Sequence, residues 1–215
     1  MVGAAIGGLV MSKPLFVATG AYSCGKTTTL RHLASTRGYR VHGEAHRRVL
    51  DELGARTHGH APDAPFRPIE APEHLCPMCR KREFAALVLE AQKKIEADAR
   101  EGDWLERGYL DPVEYYLRTS GEAEYPWPEG ERAFERYALV FLFAVMPELQ
   151  EPRWGKSREA RAAEAERINQ RLGALYRAAG FEVIDVGPGT VEARAELLAS
   201  RARLIERAIL RASPW

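Results

Sequence analysis

Residues 20–28 read Gly20-Ala21-Tyr22-Ser23-Cys24-Gly25-Lys26-Thr27-Thr28, which satisfies the spacing G-x-x-x-x-G-K-[ST]. A short apolar run, Leu15-Phe16-Val17-Ala18-Thr19, precedes it, and a helical segment from about Gly25 to Ser35 follows. Few folds accommodate that order. It requires a strand buried on both faces, a tight glycine turn, and a helix whose N-terminus points back at the turn. Gly20 and Gly25 let the backbone curl so that successive N–H groups face a chain of phosphates. The helix N-terminus adds its partial positive charge. Lys26 is placed to reach the β- and γ-phosphates, and the Thr27 hydroxyl to bind Mg²⁺. All nine residues are therefore expected to bind nucleotide, with Cys24 read as a small residue that fits the loop. A chance glycine turn before a helix is the competing explanation, and the strand–loop–helix context argues against it.

Beyond the loop, strands and helices alternate. Gly38 is placed to close the first helix, Tyr39–His42 reads as a second strand, and 44–53 as a helix. Arg82–Arg100 carries Phe84, Leu87, Ala91 and Ile95 at helical spacing. Asp103–Glu106 is a short strand ending in an acid, and Leu139–Val145 is the strongest strand signal. A charged helix over Ser157–Ala179 is stopped by Gly180, and Phe181–Val186 is a last strand. The final helix, Val191–Leu210, has a Val191, Leu198, Ile205, Ile209 stripe. Arg194, Arg201, Arg203 and Arg207, interleaved with Glu192, Glu196 and Glu206, read as its solvated surround. This alternation predicts a three-layer α/β architecture, a parallel sheet with helices on both faces.

Charge and composition narrow the function classes. The 215 residues hold 31 Lys+Arg and 30 Asp+Glu, a formal net charge of +1. Such a balance argues against a nucleic-acid or anionic-lipid partner. Three cysteines do not make a disulfide framework, and no apolar run reaches the roughly 18 residues that span a bilayer. Composition thus predicts a cytoplasmic globular protein. Residues 1–11 lack the basic leader of a signal peptide and are read as a disordered extension, with one domain over 12–215.

Acids at strand ends are the candidates for chemistry. Glu106, followed by Arg107 and Gly108, should sit at the carboxyl end of a central strand, where open α/β sheets place their ligands. There it can hold Mg²⁺ or orient an acceptor while Arg107 neutralises a transferring phosphate; a surface turn with an ordinary ion pair is the alternative. Glu44 ends another strand and can accept a proton from a substrate hydroxyl, or merely stabilise the first turn of the next helix. Asp111 before Pro112 reads either as a helix cap with proline at the first helical position or as a substrate contact. After the strongest strand, Arg153, Lys156, Arg158 and Arg161 form a cationic segment. That segment is either a lid over about 151–161 that brings cations to phosphate, or a solvated basic face.

Taken together, Gly20–Thr28, Glu44-Ala45-His46-Arg47, Glu106-Arg107-Gly108-Tyr109-Leu110-Asp111 and the Leu139–Val145 strand carry a resemblance. In that order they resemble a P-loop AAA-type ATPase/kinase family, similar to the ribosylnicotinamide kinase domain of NAD-synthesis regulators and, more distantly, to nucleoside and nucleotide kinases. The resemblance covers about residues 14–205. Glu44–Arg47 is similar to the family's E-A-x-R segment, and Glu106-Arg107-Gly108 to its D-R-G with Glu in place of Asp. Deoxynucleoside kinases have a comparable E-R-S, so the replacement is not read as inactivating. The resemblance implies a nucleoside-kinase-like P-loop NTPase fold and phosphoryl transfer to a small acceptor.

The resulting expectation is an ATP- and Mg²⁺-dependent kinase with a nucleoside-like acceptor. Lys26, Glu44, Glu106 and Arg107 are its catalytic set, Thr27 and Glu106 hold Mg²⁺, and Arg153 and Arg158 reach the nucleotide from the lid. The alternative is a nucleotide-binding regulatory switch, for ATP or GTP, without a small-molecule acceptor; no N-K-x-D guanine signature is present. A proline-rich insert at about 54–80 carries Cys76-Pro77-Met78-Cys79, the shape of half a zinc knuckle, with His58 and His60 in the same stretch. These four make a candidate zinc set; a substrate loop with incidental thiols is the other reading.

Overall fold

β1 (Leu15–Thr19) is buried end to end, as its apolar run requires. In the computed structural model residues 14–53, 80–126, 137–153 and 155–212 are described. Along the chain β1 is followed by α1 (Lys26–Arg37), β2 (Val41–His42), α2 (Ala45–Leu53) and α3 (Lys81–Asp98). Then come β3 (Trp104–Glu106), α4 (Leu110–Ser120), β4 (Tyr137–Phe143), a 3₁₀ turn at Pro147–Leu149, α5 (Arg158–Ala178), β5 (Val183–Val186) and α6 (Val191–Ala212). The five strands lie in the order β2-β3-β1-β4-β5, and every pairing is parallel. The chain runs outward from β1 to β2, returns to β3, then crosses β1 to β4. The carboxyl end of β1 is therefore flanked by segments that leave in opposite directions, the crevice where such sheets bind ligands.

Period-2 alternation in β1 splits the core. Leu15 and Val17 join Leu105, Val140 and Leu142 beneath α2–α5. Phe16 and Ala18 join Trp104, Leu139, Phe141 and Phe143 beneath α1 and α6, which supply Leu30, Leu33, Leu198 and Ala202. Trp104 lies between Phe16 and Phe141, with ring centroids at 5.0 and 5.2 Å. The expected three-layer α/β architecture is present, with helices on both faces of the parallel sheet. Gly38 and Gly121 end α1 and α4 in left-handed geometry, and the Ser157 side chain caps α5 by accepting from Ala160 N.

Several local expectations need correcting. Asp111 does not cap α4, and Pro112 is not its first residue: the helix begins at Leu110 and holds both in its first turn. No amide there needs an intrahelical partner, so proline is tolerated anywhere in that turn. Leu87 is exposed, because the buried face of α3 also includes Gln92 and Glu96, both hydrogen-bonded inward. Arg194 is buried and does not belong to a solvated surround. Residues 1–11 and the zinc candidates Cys76, Cys79, His58 and His60 lie outside the described residues. Among the described residues no group of three or more His, Cys, Asp or Glu side chains suits a metal ion. No described helix is long and apolar enough to cross a membrane.

Candidate functional site

The loop after β1 has the backbone its glycines permit. Gly20 and Gly25 adopt φ of 137° and 78°, and Ser23 sits at 50°. A Cβ on Gly20 would come within 2.9 Å of the Phe143 carbonyl oxygen, so glycine there answers both conformation and space. The loop is tied down by side chains from distant elements. Asn169 of α5 accepts from Ala21 N at 3.1 Å and donates to Phe143 O at 3.0 Å. Gln150 Nε2 donates to the carbonyls of Tyr22 and Ser23, and Arg194 Nη1 of α6 donates to Cys24 O at 3.1 Å. The Cys24 thiol is buried and donates to Ala21 O.

Lys26 is also buried, its Nζ 3.1 Å from Gly20 O and 2.7 Å from Ala21 O. Thr27 Oγ1 hydrogen-bonds Glu106 Oε1 directly, so the loop hydroxyl and the acid ending β3 share one corner of the site. The Thr28 side chain is exposed.

Arg107 follows β3 with φ 73°, a conformation costing a non-glycine residue about 1–3 kcal/mol unless its surroundings over-determine it. They do. Its amide donates to Ala18 O, and its carbonyl accepts from Gln92 Nε2. Its guanidinium reaches Glu44 Oε1 at 3.1 Å, Gly20 O at 3.0 Å and Asp111 Oδ1 at 2.9 Å. Burial disfavours the charge on Arg107, yet Glu44 and Asp111 more than offset this and raise its pKa. Burial likewise opposes ionisation of Glu44, but Arg107, the His46 hydrogen bond and Lys26 prevail and hold its carboxyl well below the usual carboxylate range. Gly108 is needed next to Arg107: a Cβ there would meet Tyr176 Oη at 2.5 Å and Tyr137 Oη at 3.0 Å.

Thus Lys26, Thr27, Glu44, Glu106 and Arg107, five residues from three strand ends, converge on the loop. The cationic segment divides. Arg153 and Arg158 are exposed, and Arg153 pairs backbone to backbone with Lys156. Arg161 is buried, and its guanidinium lies 4.5 Å from the ring centre of Tyr22 inside the loop. Tyr22 Oη bonds Glu164 at 3.0 Å, and Glu164 pairs with Lys156 at 2.8 Å. Burial first, then the Glu164 charge, push the Tyr22 phenol up to about 12.

Sequence reasoning missed Asn169, Gln150, Tyr176 and Thr19, and gave Arg194 the wrong surroundings. Asn169 carried a readable signal, a polar residue in register with the apolar face Ala165, Ile168, Leu172 and Tyr176. Arg194 had one too, since it follows the glycine turn at the carboxyl end of a strand.

The oxygens of Thr27 and Glu106 are hard donors of the kind Mg²⁺ prefers, and they already lie together.

Comparison with known proteins bears on the fold. No curated protein sequence matches. Among solved structures, a deoxyadenosine kinase from M. mycoides with dCMP and a flexible dCDP bound has a TM-score of 0.53 at 12% identity, covering 89% of this chain and 99% of that one. The dATP-bound structure of deoxyadenosine kinase from M. mycoides gives 0.51 at 12% identity, covering 88% and 99%. A shikimate kinase from Acinetobacter baumannii in complex with shikimate gives 0.48 at 18% identity, covering 92% and 96%. The deoxyadenosine kinase likenesses show the fold, a P-loop kinase-like α/β sheet. The AAA domain family profile matches residues 15–194, and the chain belongs to that AAA domain family.

Proposed function

We propose that this protein is an ATP- and Mg²⁺-dependent kinase that transfers the γ-phosphoryl group to a hydroxyl of a small, nucleoside-like acceptor. The observation that carries the reading is convergence: the phosphate loop, the Thr27–Glu106 pair and the Glu44–Arg107 pair meet at the carboxyl ends of the strands. The fold shared with deoxyadenosine kinase and the Glu44–Arg47 and Glu106–Gly108 segments support a nucleoside-like acceptor.

The loop amides and Lys26 bind the β- and γ-phosphates. Thr27 and Glu106 would hold Mg²⁺, which supplies charge neutralisation at the phosphate oxygens when bound. Arg107 meets the charge that develops on the transferring group. Glu44 is a weak base because its carboxylate is so strongly stabilised. Its part is to accept a hydrogen bond from the acceptor hydroxyl and aim it, which suffices where the transition state is loose. Residues 151–161 act as the lid; Arg161 is its cation against the loop, and Arg153 and Arg158 approach the nucleotide on closure. A cytoplasmic setting, where ATP is abundant, fits this chemistry.

The test is incubation with labelled ATP and a pooled library of nucleosides and small metabolites. Acceptor-dependent ADP release is the expected result. Tight nucleotide binding with no acceptor found in the pool would overturn the kinase reading in favour of a nucleotide-dependent switch.

A further inference from the structure

Arg107 is gripped on one side by a carboxylate, Asp111, to which the proposed transfer gives no direct part. Asp111 is buried, and four donors converge on it. Thr19 Oγ1 lies 2.9 Å from each carboxylate oxygen. Oδ2 also accepts from Gly108 N at 3.1 Å and Tyr176 Oη at 2.8 Å, while Oδ1 accepts from Arg107 Nη1 at 2.9 Å. The three anchors other than Arg107 come from β1, from the turn after β3 and from α5. A first-turn acid needs only one amide to serve its helix. Four convergent donors on a buried side chain exceed that need.

We propose that Asp111 is a positioning residue of the transfer reaction, placing the Arg107 guanidinium between Glu44 and the Gly20 carbonyl, with Thr19, Gly108 N and Tyr176 fixing Asp111 in turn. The inference rests on the reading that Arg107 meets charge on the transferring phosphoryl group.

An arginine side chain has many rotamers, and a guanidinium that must be collected at the moment of transfer contributes less than one already in place. Asp111 removes that freedom from one side and Glu44 from the other. The left-handed backbone of Arg107 aims the side chain across the carboxyl ends of β1 and β3. Both tyrosines near this turn remain phenols, since burial and nearby carboxylates raise them well above the usual tyrosine range. Tyr176 therefore stays a donor to Asp111 throughout the working pH range. On the far side Tyr137 Oη accepts from Tyr109 N at 2.7 Å and bonds Glu96, so the turn carrying Arg107 is braced from α3 as well.

The experiment compares wild type, Asp111→Asn and Tyr176→Phe in acceptor-dependent ADP release, with kcat and KM for Mg·ATP measured separately. The amide introduced by Asp111→Asn would present an N–H₂ to at least one of the four donors. The expected result is a kcat at least tenfold lower for Asp111→Asn and about threefold lower for Tyr176→Phe, with KM for Mg·ATP within twofold of wild type. The same substitutions are repeated in an Arg107→Lys background, where the planar guanidinium that spans Glu44 and Asp111 is gone and Asp111→Asn should cost less than twofold. A kcat for Asp111→Asn within twofold of wild type overturns the proposal. An equal loss in both backgrounds overturns it too, because that marks a purely structural effect. Should Asp111→Asn fail to fold, Thr19→Val and Tyr176→Phe take its place, and unchanged kcat in both overturns the proposal. Absence of acceptor-dependent ADP release in wild type removes the kinase reading and this inference together. Normal wild-type turnover with indifferent variants removes only this one.

Discussion

Lys26 Nζ and Arg107 Nη1 donate to the same atom, the carbonyl oxygen of Gly20, at 3.1 and 3.0 Å. Two cations that ought to repel are gathered at one point by a backbone carbonyl and by Glu44, which pairs with Arg107 and feels the charge of Lys26. Charge-assisted bonds to a phosphate oxygen are stronger than bonds to a neutral carbonyl. A phosphate chain laid along the loop therefore competes well for both groups.

Lys26→Ala should lower phosphoryl transfer by about 10²–10³-fold, the usual effect of removing one pre-aimed donor. Gly20 O keeps its bond from Arg107, so far-UV circular dichroism should be unchanged. ADP release and circular dichroism on the same sample check both statements, and full transfer by the variant would sink the mechanism.

Glu106→Gln should act through the cation. It keeps an oxygen near Thr27 but loses the charge, and the Mg²⁺ concentration for half-maximal activity should rise by about 10–100-fold. Titration of initial rates with Mg²⁺ at saturating ATP reads this directly, and an unchanged half-point contradicts the assignment.

Gly108→Ala should destabilise the fold by about 1–3 kcal/mol, since the new methyl meets two buried tyrosine hydroxyls. Gly43→Ala is the control: nothing lies within 4 Å of its added carbon, and a change of about 0.5 kcal/mol or less is expected. Denaturant unfolding of the pair distinguishes a steric cost from a general intolerance of substitution.

Asn169→Ala leaves the Ala21 amide and the Phe143 carbonyl without their side-chain partner. A loss of about 1–3 kcal/mol follows if neither group finds water. KM for ATP should rise, because the loop's first turn loses its brace. Unfolding curves and nucleotide titration give the two readouts independently.

Glu44 makes stability depend on acid. Its ordinary value is 4.5, and in the folded protein it is held well below that, so between the two values the unfolded chain binds a proton that the native one does not. Stability from this group is fully present above about pH 5 and falls as pH drops through the carboxylate range toward the lowered folded value. The gap in unfolding free energy between wild type and Glu44→Gln should be flat from about pH 6 to 8 and narrow below about pH 4.5. A gap that widens on acidification would contradict the ion pair.

The loop was legible because its chemistry is local: two glycines, a lysine and a threonine at fixed spacing dictate both the turn and the phosphate cradle. β1 and the interior of β4 were legible for a similar reason, being apolar runs buried on both faces. Glu44, Glu106 and Arg107 could be placed at strand ends, though not in contact, since β2 and β3 meet only through tertiary pairing. The supports were harder. Asn169 and Ala21 are 148 residues apart, and Arg194 and Cys24 are 170 apart. Arg194 resembles its solvated neighbours until α6 is docked on α1. Asp111 reads as either a helix cap or a substrate contact because the sequence shows the proline beside it but not Tyr176 or Thr19.

Arg161, Asn169 and Tyr176 all project from α5, toward Tyr22, the start of the loop, and Asp111 respectively. Along a helix these positions span about 22 Å. One rigid rod thus sets the register of the Tyr22 contact, the start of the glycine loop and the Asp111–Arg107 pair at once, leaving a single alignment variable where three separate mounts would leave three. A wedge driven into the seam between α4 and α5 would detune all of them together, and would silence the proposed transfer without competing for the nucleotide.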